Sequence, residues 1–178
     1  MTWPMSQGGP ARHGVWSCPA PRPLRQRWRL RLRDYTEFFT QAFGVKSYYP
    51  PTSDDERVYL AFPNGWIAAL DGDSGDLSWK KQFQSTSAAA AFVESPASSV
   101  LVAGDRLVVK TKFHDGGHSF RVHALSASVG ETLWSTPPGF TNEFEGCLCG
   151  NDYFDIADGN LVRIDARSGA TIAICRIG

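Results

Sequence analysis

The chain has 178 residues, with 18 basic and 18 acidic side chains, so its formal net charge at neutral pH is zero. A chain without excess positive charge lacks the field that draws proteins to nucleic acid or to an anionic membrane surface. Seventeen glycines and eleven prolines supply the turns that short strands need, and helical periodicity is nearly absent. The composition therefore favours a β-rich globular protein of one or two domains.

Residues 1–24 contain five prolines and show no periodicity, so we expect an irregular lead-in. No apolar signal core follows Met1, and no window of about 18 apolar residues exists, which predicts neither a secretory peptide nor a membrane span. As written, the chain is expected to be cytoplasmic. An incomplete N-terminus would instead allow a periplasmic or secreted protein.

The segment Arg25–Arg33 alternates strictly, with five arginines on one face of an extended strand and a tryptophan and two leucines on the other. One interpretation is a polyanion-binding ridge, because guanidinium groups suit phosphate and sulfate. The favoured interpretation is an edge strand whose charges discourage pairing with another edge. Asp34 and Glu37 follow it, and aromatic residues are not interleaved as they are in nucleic-acid binders.

Two stretches carry weaker signals. Residues 34–57 include Phe38–Phe39 and Tyr48–Tyr49, which we expect in the innermost or outermost strand of a first sheet, with a ligand-stacking surface as the alternative. Ser85–Ser99 is rich in serine and alanine and is typical of a loop that enters a small inner strand. A short helix is the competing interpretation of that stretch.

The clearest local pattern is a hairpin followed by a tight turn. Val58–Phe62 alternates as a strand, Pro63–Gly65 is a hairpin signal, and Trp66–Leu70 returns as a second strand. Asp71 can then accept hydrogen bonds from the backbone amides ahead of it, and Gly75 can supply a left-handed conformation before a third strand begins. The pattern predicts a meander of antiparallel strands.

The segment Ala69–Trp79 recurs twice. Ala124–Trp134 repeats it 55 positions later, and Arg163–Ala173 follows after another 39, with alanine where tryptophan is expected. Each copy follows its own hairpin. The repeated positions are Ala69, Asp71, Gly75 and Trp79; then Ala124, Gly130 and Trp134; then Asp165 and Gly169. Three copies at roughly 40–55 residues fall within the size range of propeller blades.

Cysteine and histidine provide no strong metal signal. Cys147 and Cys149 form a C-x-C pair without the spacing of a zinc ribbon, and His114 and His118 flank a glycine hairpin tip. We expect the four cysteines to be small hydrophobes within the sheets. They are Cys18, Cys147, Cys149 and Cys175. A disulfide between Cys175 and Cys147 or Cys149 would require export.

The repeat Ala-x-Asp-x-x-(Ser/Thr)-Gly-x-x-x-Trp resembles that of the quinoprotein-type (PQQ-like) β-propellers, in which the tryptophan docks between blades. Trp3–Gly14 also resembles the opening segment of such domains. The resemblance implies an all-β protein of antiparallel four-stranded blades, with about three blades, a leading strand and an incomplete ring. It implies a lead-in at 1–24 and a partial propeller at 25–178, with repeats at about 35–83, 92–136 and 144–178.

Propellers usually close with 4 to 8 blades, so about three blades suggest an open arc, a fragment or a protomer that closes by association. The resemblance also implies two sets of expectations for the repeats. Trp79 and Trp134 should be largely buried between blades, near positions such as Ala69 and Ala124. Gly75, Gly130 and Gly169 should have positive φ.

Quinoprotein dehydrogenases hold their cofactor with a tryptophan platform, a calcium site and a catalytic aspartate, and none of these can be placed on this sequence. We therefore assign no catalytic, cofactor-binding or metal residue and favour a non-catalytic scaffold that binds a protein or another ligand. The alternative is a fragment of a PQQ-dependent alcohol or sugar dehydrogenase, and only then would PQQ and calcium be cofactors. We expect a protein partner and self-association through open blade edges, with no nucleic acid and no membrane span.

Overall fold

The structure is a computed structural model that describes residues 26–30, 49–62, 65–83, 95–96, 100–112, 119–140 and 146–176. Within these ranges all regular structure is β, and thirteen strands form three antiparallel sheets. The predicted all-β class is thereby confirmed. None of the described segments is a helix that could cross a membrane.

The first sheet, blade 1, contains β1 (Thr52–Ser53), β2 (Arg57–Ala61), β3 (Trp66–Asp71) and β4 (Leu77–Gln82), in that spatial order. The hairpin of β2 and β3 is the one that the alternating pattern predicts. The backbone amide of Tyr49 donates to the carbonyl of Ala61 at 3.2 Å, which continues the inner edge of the sheet. The described end of the aromatic stretch therefore lies at the innermost position, while residues 34–48 lie outside the described residues.

Blade 2 contains β5 (Ser95–Pro96), β6 (Leu101–Ala103), β7 (Arg106–Lys112), β8 (Phe120–Ser126) and β9 (Thr132–Ser135). Both β5 and β6 pair with β7, at opposite ends, so two short strands share the innermost position and the sheet still has four strand positions. Proline cannot donate to a ladder, which suits an edge position. Within the Ser85–Ser99 stretch, Ser95–Pro96 thus forms an inner strand, as expected. The alternative of a short helix concerns residues of this stretch that lie outside the described ranges.

Blade 3 contains β10 (Cys147–Cys149), β11 (Asp152–Ala157), β12 (Asn160–Asp165) and β13 (Thr171–Arg176), again in chain order. The β11–β12 hairpin turns at Asp158 and Gly159, with φ of 49° and 74°. Two consecutive positive φ values are typical of a two-residue hairpin turn, for which Asp-Gly is a preferred pair.

The three sheets stack face to face in an open arrangement. The inner strand β6 lies against both β1 and β10, so inner strands of the three blades converge on the same side. We call the face that each blade turns toward the next blade in the chain its forward face, and the opposite one its rear face. The molecule is thus a partial propeller of three blades.

Apolar clusters fill the spaces between the sheets, and burial of each large aliphatic side chain contributes about 1.5–3 kcal/mol. The cluster between blades 1 and 2 comprises Tyr59, Ala61, Ile67, Ala69, Phe83, Val100, Val102, Leu107, Val109, Leu125 and Ala127. The cluster between blades 2 and 3 comprises Leu101, Ala103, Val108, Phe120, Val122, Phe140, Leu148, Tyr153, Val162, Ile164 and Ala166. These clusters define which residues lie on the forward and rear faces.

The leading segment 26–30 covers part of the rear face of blade 1. Trp28 and Leu30 are half-buried against it, while Arg27 and Arg29 are exposed, so the predicted alternation is present. The segment makes no ladder pairing within the described residues, however, and the prediction of an edge strand is wrong for this part. It is held by side chains, among them the Arg27–Asp73 ion pair, rather than by a sheet. Residues 1–24 lie outside the described ranges.

The cysteines differ from the prediction. Cys147, Cys149 and Cys175 are exposed, because no described residues cover the forward face of blade 3 on which they lie. The expectation of small buried hydrophobes is wrong for these three. None of them is in a disulfide, and β10 and β13 are the opposite edges of the sheet, so the suggested pairing with Cys175 spans its full width. Cys18 lies outside the described residues.

Candidate functional site

The turn after the third strand of each blade has one geometry in all three copies. The amides of Gly75, Gly130 and Gly169 donate to the carbonyls four residues earlier at 2.9, 2.9 and 2.8 Å. Their φ angles are 80°, 73° and 75°, which confirms the expected left-handed conformation. Only a residue without a β-carbon adopts this conformation at little cost.

Aspartate closes this turn in blades 1 and 3. Asp71 accepts hydrogen bonds from the amides of Asp73 and Ser74 at 3.0 and 2.8 Å, and Asp165 accepts one from the amide of Arg167 at 2.7 Å. These hydrogen bonds, from Ser74 and Arg167 foremost, hold the pKa of each carboxyl below its ordinary value. Both carboxylates are thus occupied by the turn.

A tryptophan from an earlier part of the chain lies on each turn. The Nε1 groups of Trp79 and Trp134 donate to the carbonyls of Ala127 and Ala166, each at 3.0 Å. Trp28 does the same in blade 1, where its Nε1 donates to the carbonyl of Gly72 at 3.0 Å. Each indole ring also covers the glycine of its turn. The three contacts are therefore one repeated docking device.

The expected position of the tryptophans needs correction. Trp79 and Trp134 are half-buried rather than largely buried, because they lie on the outermost strand, at the rim of the interface. Ala69 and Ala124 are fully buried, and they are cross-strand partners of the two tryptophans within the same sheet. The next blade supplies the acceptor carbonyl instead.

Sequence reasoning did not identify the acceptor residues Gly72, Ala127 and Ala166, or the docking role of Trp28. A signal existed, since each acceptor lies three positions before a repeated glycine. The side chain at this position can vary because the backbone carbonyl accepts the hydrogen bond from the tryptophan. The residues of the repeat thus hold the blades together.

A groove lies between blades 1 and 2, at the end of the sheets that carries these turns. It is a groove of about 500 Å³ formed by the β1–β2 turn, the β6–β7 turn and the start of the β8–β9 turn. Its lining residues are Asp54, Asp55, Glu56, Arg57, Val102, Gly104, Asp105, Ala127 and Ser128. Four carboxylates face one guanidinium, so the groove is acidic although the chain is neutral.

Asp54 anchors the groove. One carboxylate oxygen accepts the amides of Glu56 and Arg57 at 2.8 and 2.6 Å, and the other accepts the hydroxyl of Tyr59 at 2.5 Å. Burial and the neighbouring Asp54 raise the pKa of Tyr59 above its ordinary value, so the phenol stays protonated as a donor. Asp54 therefore shapes the groove instead of offering its charge to a ligand.

The exposed carboxylates lie on the rim. Glu56 and Asp105 have side chains that are 73% and 79% exposed and pair with Arg57 and Arg106. A smaller cavity of about 220 Å³ adjoins them and extends the surface to Asp71, Asp73 and Ser78. We call the two cavities together, from Asp54–Arg57 and Asp105 to Asp73, the acidic turn surface.

Two polar clusters are buried, one within blade 2 and one between blades 2 and 3. His123 contacts the hydroxyls of Thr111 and Ser135 at 2.9 and 2.7 Å, and its ring packs on Phe83 with centroids 4.8 Å apart. The histidine is 4% exposed, so its ring is almost closed to solvent. Its contacts with the two hydroxyls connect the three strands β7, β8 and β9 of blade 2.

The second cluster joins blades 2 and 3. Lys110 Nζ lies 2.8 Å from Asp155, and both side chains are almost fully buried. Asp155 also accepts the hydroxyl of Tyr153 and the amide of Ile156, each at 2.7 Å. Burial lowers the pKa of Lys110 from its ordinary value, while Asp155 opposes that shift. The pair is closed to solvent and links the two sheets.

The described ranges contain carboxylate side chains, which together with amide oxygens are the ligands that a calcium ion needs. No group of three or more His, Cys, Asp and Glu side chains in those ranges could hold a metal ion. The carboxylates of Asp54, Asp71 and Asp165 are occupied by their own turns. These residues therefore do not fit the cofactor of a quinoprotein dehydrogenase, and we derive no step through it.

Comparison with solved structures shows where this fold occurs. BamB from Moraxella catarrhalis is 21% identical, with a TM-score of 0.51, over 70% of this chain and 35% of that one. A europium-containing methanol dehydrogenase is 12% identical, with a TM-score of 0.54, over 72% and 32%. The computationally designed protein Ika4 is 16% identical, with a TM-score of 0.52, over 72% and 71%. These likenesses show the fold alone.

The matched part of this chain spans about a third of the length of BamB and of the methanol dehydrogenase. No curated protein matches the sequence. Residues 25–146 match the family of PQQ-like repeats described as outer membrane protein assembly factor BamB, and these residues are more than half of the chain. The chain therefore belongs to this family of PQQ-like β-propeller repeat proteins.

Proposed function

We propose that this chain is a non-catalytic propeller scaffold that binds a protein partner through the acidic turn surface. The observation that carries the proposal is the groove of about 500 Å³ between blades 1 and 2, with its exposed carboxylates on the rim. His123 and Lys110, whose side chains could exchange protons, are buried and make contacts within and between the blades. Binding is thus what the accessible surface supports.

The charge of the surface indicates the chemistry of the partner. Asp73, Asp105 and Glu56 are exposed carboxylates of this surface, with 87%, 79% and 73% of their side chains accessible. A Lys- or Arg-rich segment would be attracted over about 8 Å at physiological ionic strength, and such rim charges mainly increase association rates. We infer that the partner presents a basic segment.

The family description supports a role in which the chain binds another protein. An assembly factor acts by binding other proteins, and the match covers blades 1 and 2, which form the groove. We also propose that the chain associates with itself through the exposed forward face of blade 3, where Leu161 is 37% exposed. The two proposals use different surfaces and can fail separately.

The groove is tested with a fluorescein-labelled oligolysine peptide, by fluorescence anisotropy at several salt concentrations. The double variant Glu56→Gln, Asp105→Asn should bind it several-fold more weakly, since each exposed ion pair is worth about 0.2–1 kcal/mol. The matched control is Asp158→Asn, which removes one exposed carboxylate at the opposite end of blade 3 and tolerates asparagine at φ 49°. Equal affinities for all three proteins would contradict the proposed surface.

The absence of catalysis needs a separate measurement. The purified chain is titrated calorimetrically with PQQ and calcium and is then assayed for dye reduction with an alcohol or a sugar. We expect neither saturable PQQ binding nor dye reduction. Dye reduction that depends on PQQ and calcium would instead favour the quinoprotein dehydrogenase alternative.

A further inference from the structure

The leading segment 26–30 places a basic side chain of the chain itself on the acidic turn surface. Arg27 forms an ion pair with Asp73, whose side chain lines the smaller of the two cavities of that surface. The side chain of Asp73 is 87% exposed and that of Arg27 is 71% exposed, so both charged groups stay in contact with water. An arginine of the leading segment thus occupies one of the carboxylates that we assign to a basic partner.

Trp28 holds this arginine in place. The indole Nε1 of Trp28 donates to the carbonyl of Gly72 at 3.0 Å, and the ring covers Gly75, so the two contacts lie on either side of Asp73 in the turn. Arg27 precedes the docked tryptophan directly and is therefore tethered beside Asp73. A tethered group has a high effective concentration at its site, so the arginine returns to the carboxylate whenever no other cation is there.

The ion pair can open while the tryptophan stays docked. Trp28 is half-buried against the rear face of blade 1, whereas Arg27 is exposed, as the alternation of the segment predicts. The segment makes no ladder pairing within the described residues, so a rotation of the arginine side chain disrupts no sheet there. Ion pairs between exposed side chains are weak. A lysine or arginine of a partner can therefore take the place of Arg27.

We infer that Arg27 is an autoinhibitory contact, which competes with the basic segment of a protein partner for Asp73. This inference rests on the proposed acidic turn surface and names a regulation of that surface. The partner gains Asp73 only when the arginine leaves, whereas Glu56 and Asp105 pair with arginines of their own turns. The leading segment thereby lowers the affinity of the surface and favours a partner that has enough basic residues to displace it.

The test compares two variants that each lose one positive charge from the same segment. Arg27→Gln removes the ion pair with Asp73. The matched control, Arg29→Gln, removes an exposed arginine that has no ion pair within the described residues. In fluorescence anisotropy with the labelled oligolysine peptide, Arg27→Gln should bind up to about fivefold more tightly than the wild type, the ratio that corresponds to one exposed ion pair. Arg29→Gln should gain less, because it changes only the overall charge, and circular dichroism verifies that both variants are folded.

A double-mutant cycle identifies the carboxylate. Asp73→Asn should weaken peptide binding more in the Arg27→Gln background than in the wild type, because Arg27 no longer competes for the carboxylate in that background. Equal affinities of Arg27→Gln and Arg29→Gln, or an equal effect of Asp73→Asn in both backgrounds, would overturn the inference. Peptide binding that still depends on Glu56 and Asp105 would then leave the proposed surface in place. If neither the wild type nor any variant bound the peptide, the proposed surface and this inference would both fail.

Discussion

The indole ring of Trp79 lies so close to Gly130 of the next blade that a β-carbon on Gly130 would be 2.5 Å from ring atom Cε3. Gly130 therefore meets two requirements at once: it has a φ of 73°, and it leaves space for the tryptophan. The same relationship joins Trp134 to Gly169 and Trp28 to Gly75. The glycine of each turn is thus part of the interface between blades.

We expect Gly130→Ala to destabilise the protein by more than the roughly 1 kcal/mol that a left-handed conformation costs a residue with a β-carbon. The control is Gly104→Ala in the same blade, where φ is 62° and no atom lies within 4 Å of the added carbon. Urea unfolding gives the loss of unfolding free energy for each variant. The loss in Gly104→Ala measures the cost of a β-carbon at positive φ, and the additional loss in Gly130→Ala measures the cost of displacing the indole. Equal losses would show that the indole moves aside freely.

Trp79 contributes through its ring and through its N–H group. Trp79→Ala should lower the free energy of unfolding by about 3 kcal/mol, the lower end for large aromatic truncations because the ring is half-buried. Trp79→Phe keeps most of the packing but loses the hydrogen bond to Ala127, for about 1 kcal/mol. Thermal unfolding followed by circular dichroism gives this order. A Phe variant as unstable as the Ala variant would mean that the hydrogen bond is the principal contact.

Local chemistry made the hairpins and the repeated turns predictable. The alternation of Val58–Phe62 predicts a strand, and Gly75 predicts a left-handed turn. Both features depend only on residues a few positions apart, so they can be recognised in the sequence. The packing of Trp28 on a turn 44 residues later depends on which blades are neighbours. No periodicity within a window indicates that contact.

The groove and the exposed cysteines were unpredictable for a related reason. The acidic turn surface joins Asp54–Arg57 of blade 1 to Asp105 and Ser128 of blade 2, and only the stacking of the sheets brings them together. Cys147 and Cys149 have the alternation of a strand with one buried face, but which face is covered depends on the neighbouring blade. The split inner strand of blade 2 likewise follows from pairing with β7 and has no local marker.

The Asp71 turn should make stability sensitive to acid. Hydrogen bonds lower the pKa of Asp71 and Asp165 in the folded chain below the ordinary value of 3.8. The unfolded chain then binds protons first, so this stabilisation is present above about pH 4 and is lost as pH falls through the folded pKa. We expect Asp71→Asn to flatten the decline of unfolding free energy between pH 5 and pH 2. An unchanged slope would show that Asp71 does not control the acid response.

The buried pair of Lys110 and Asp155 gives the sharpest test of how blades 2 and 3 are joined. Removing one partner leaves the other charge buried, which typically costs 3–5 kcal/mol, whereas replacing both by apolar residues is often neutral or stabilising. Asp155→Ala should therefore be strongly destabilising, and Lys110→Met combined with Asp155→Leu should recover much of the loss. The hydroxyl of Tyr153 donates to Asp155 and loses this acceptor in both variants. The cost of that loss therefore does not affect the difference in stability between them.

The pH dependence of the same variants adds a second readout. Because burial lowers the pKa of Lys110 below its ordinary 10.5, the unfolded chain binds more protons than the folded chain between the two values. The contribution of Lys110 to stability therefore rises with pH across that alkaline interval, and Lys110→Met should remove this rise relative to the wild type. Urea unfolding from pH 7 to pH 10 measures it. If the double variant is less stable than Asp155→Ala at every pH, the unpaired charge of Lys110 is not the main cost of losing Asp155.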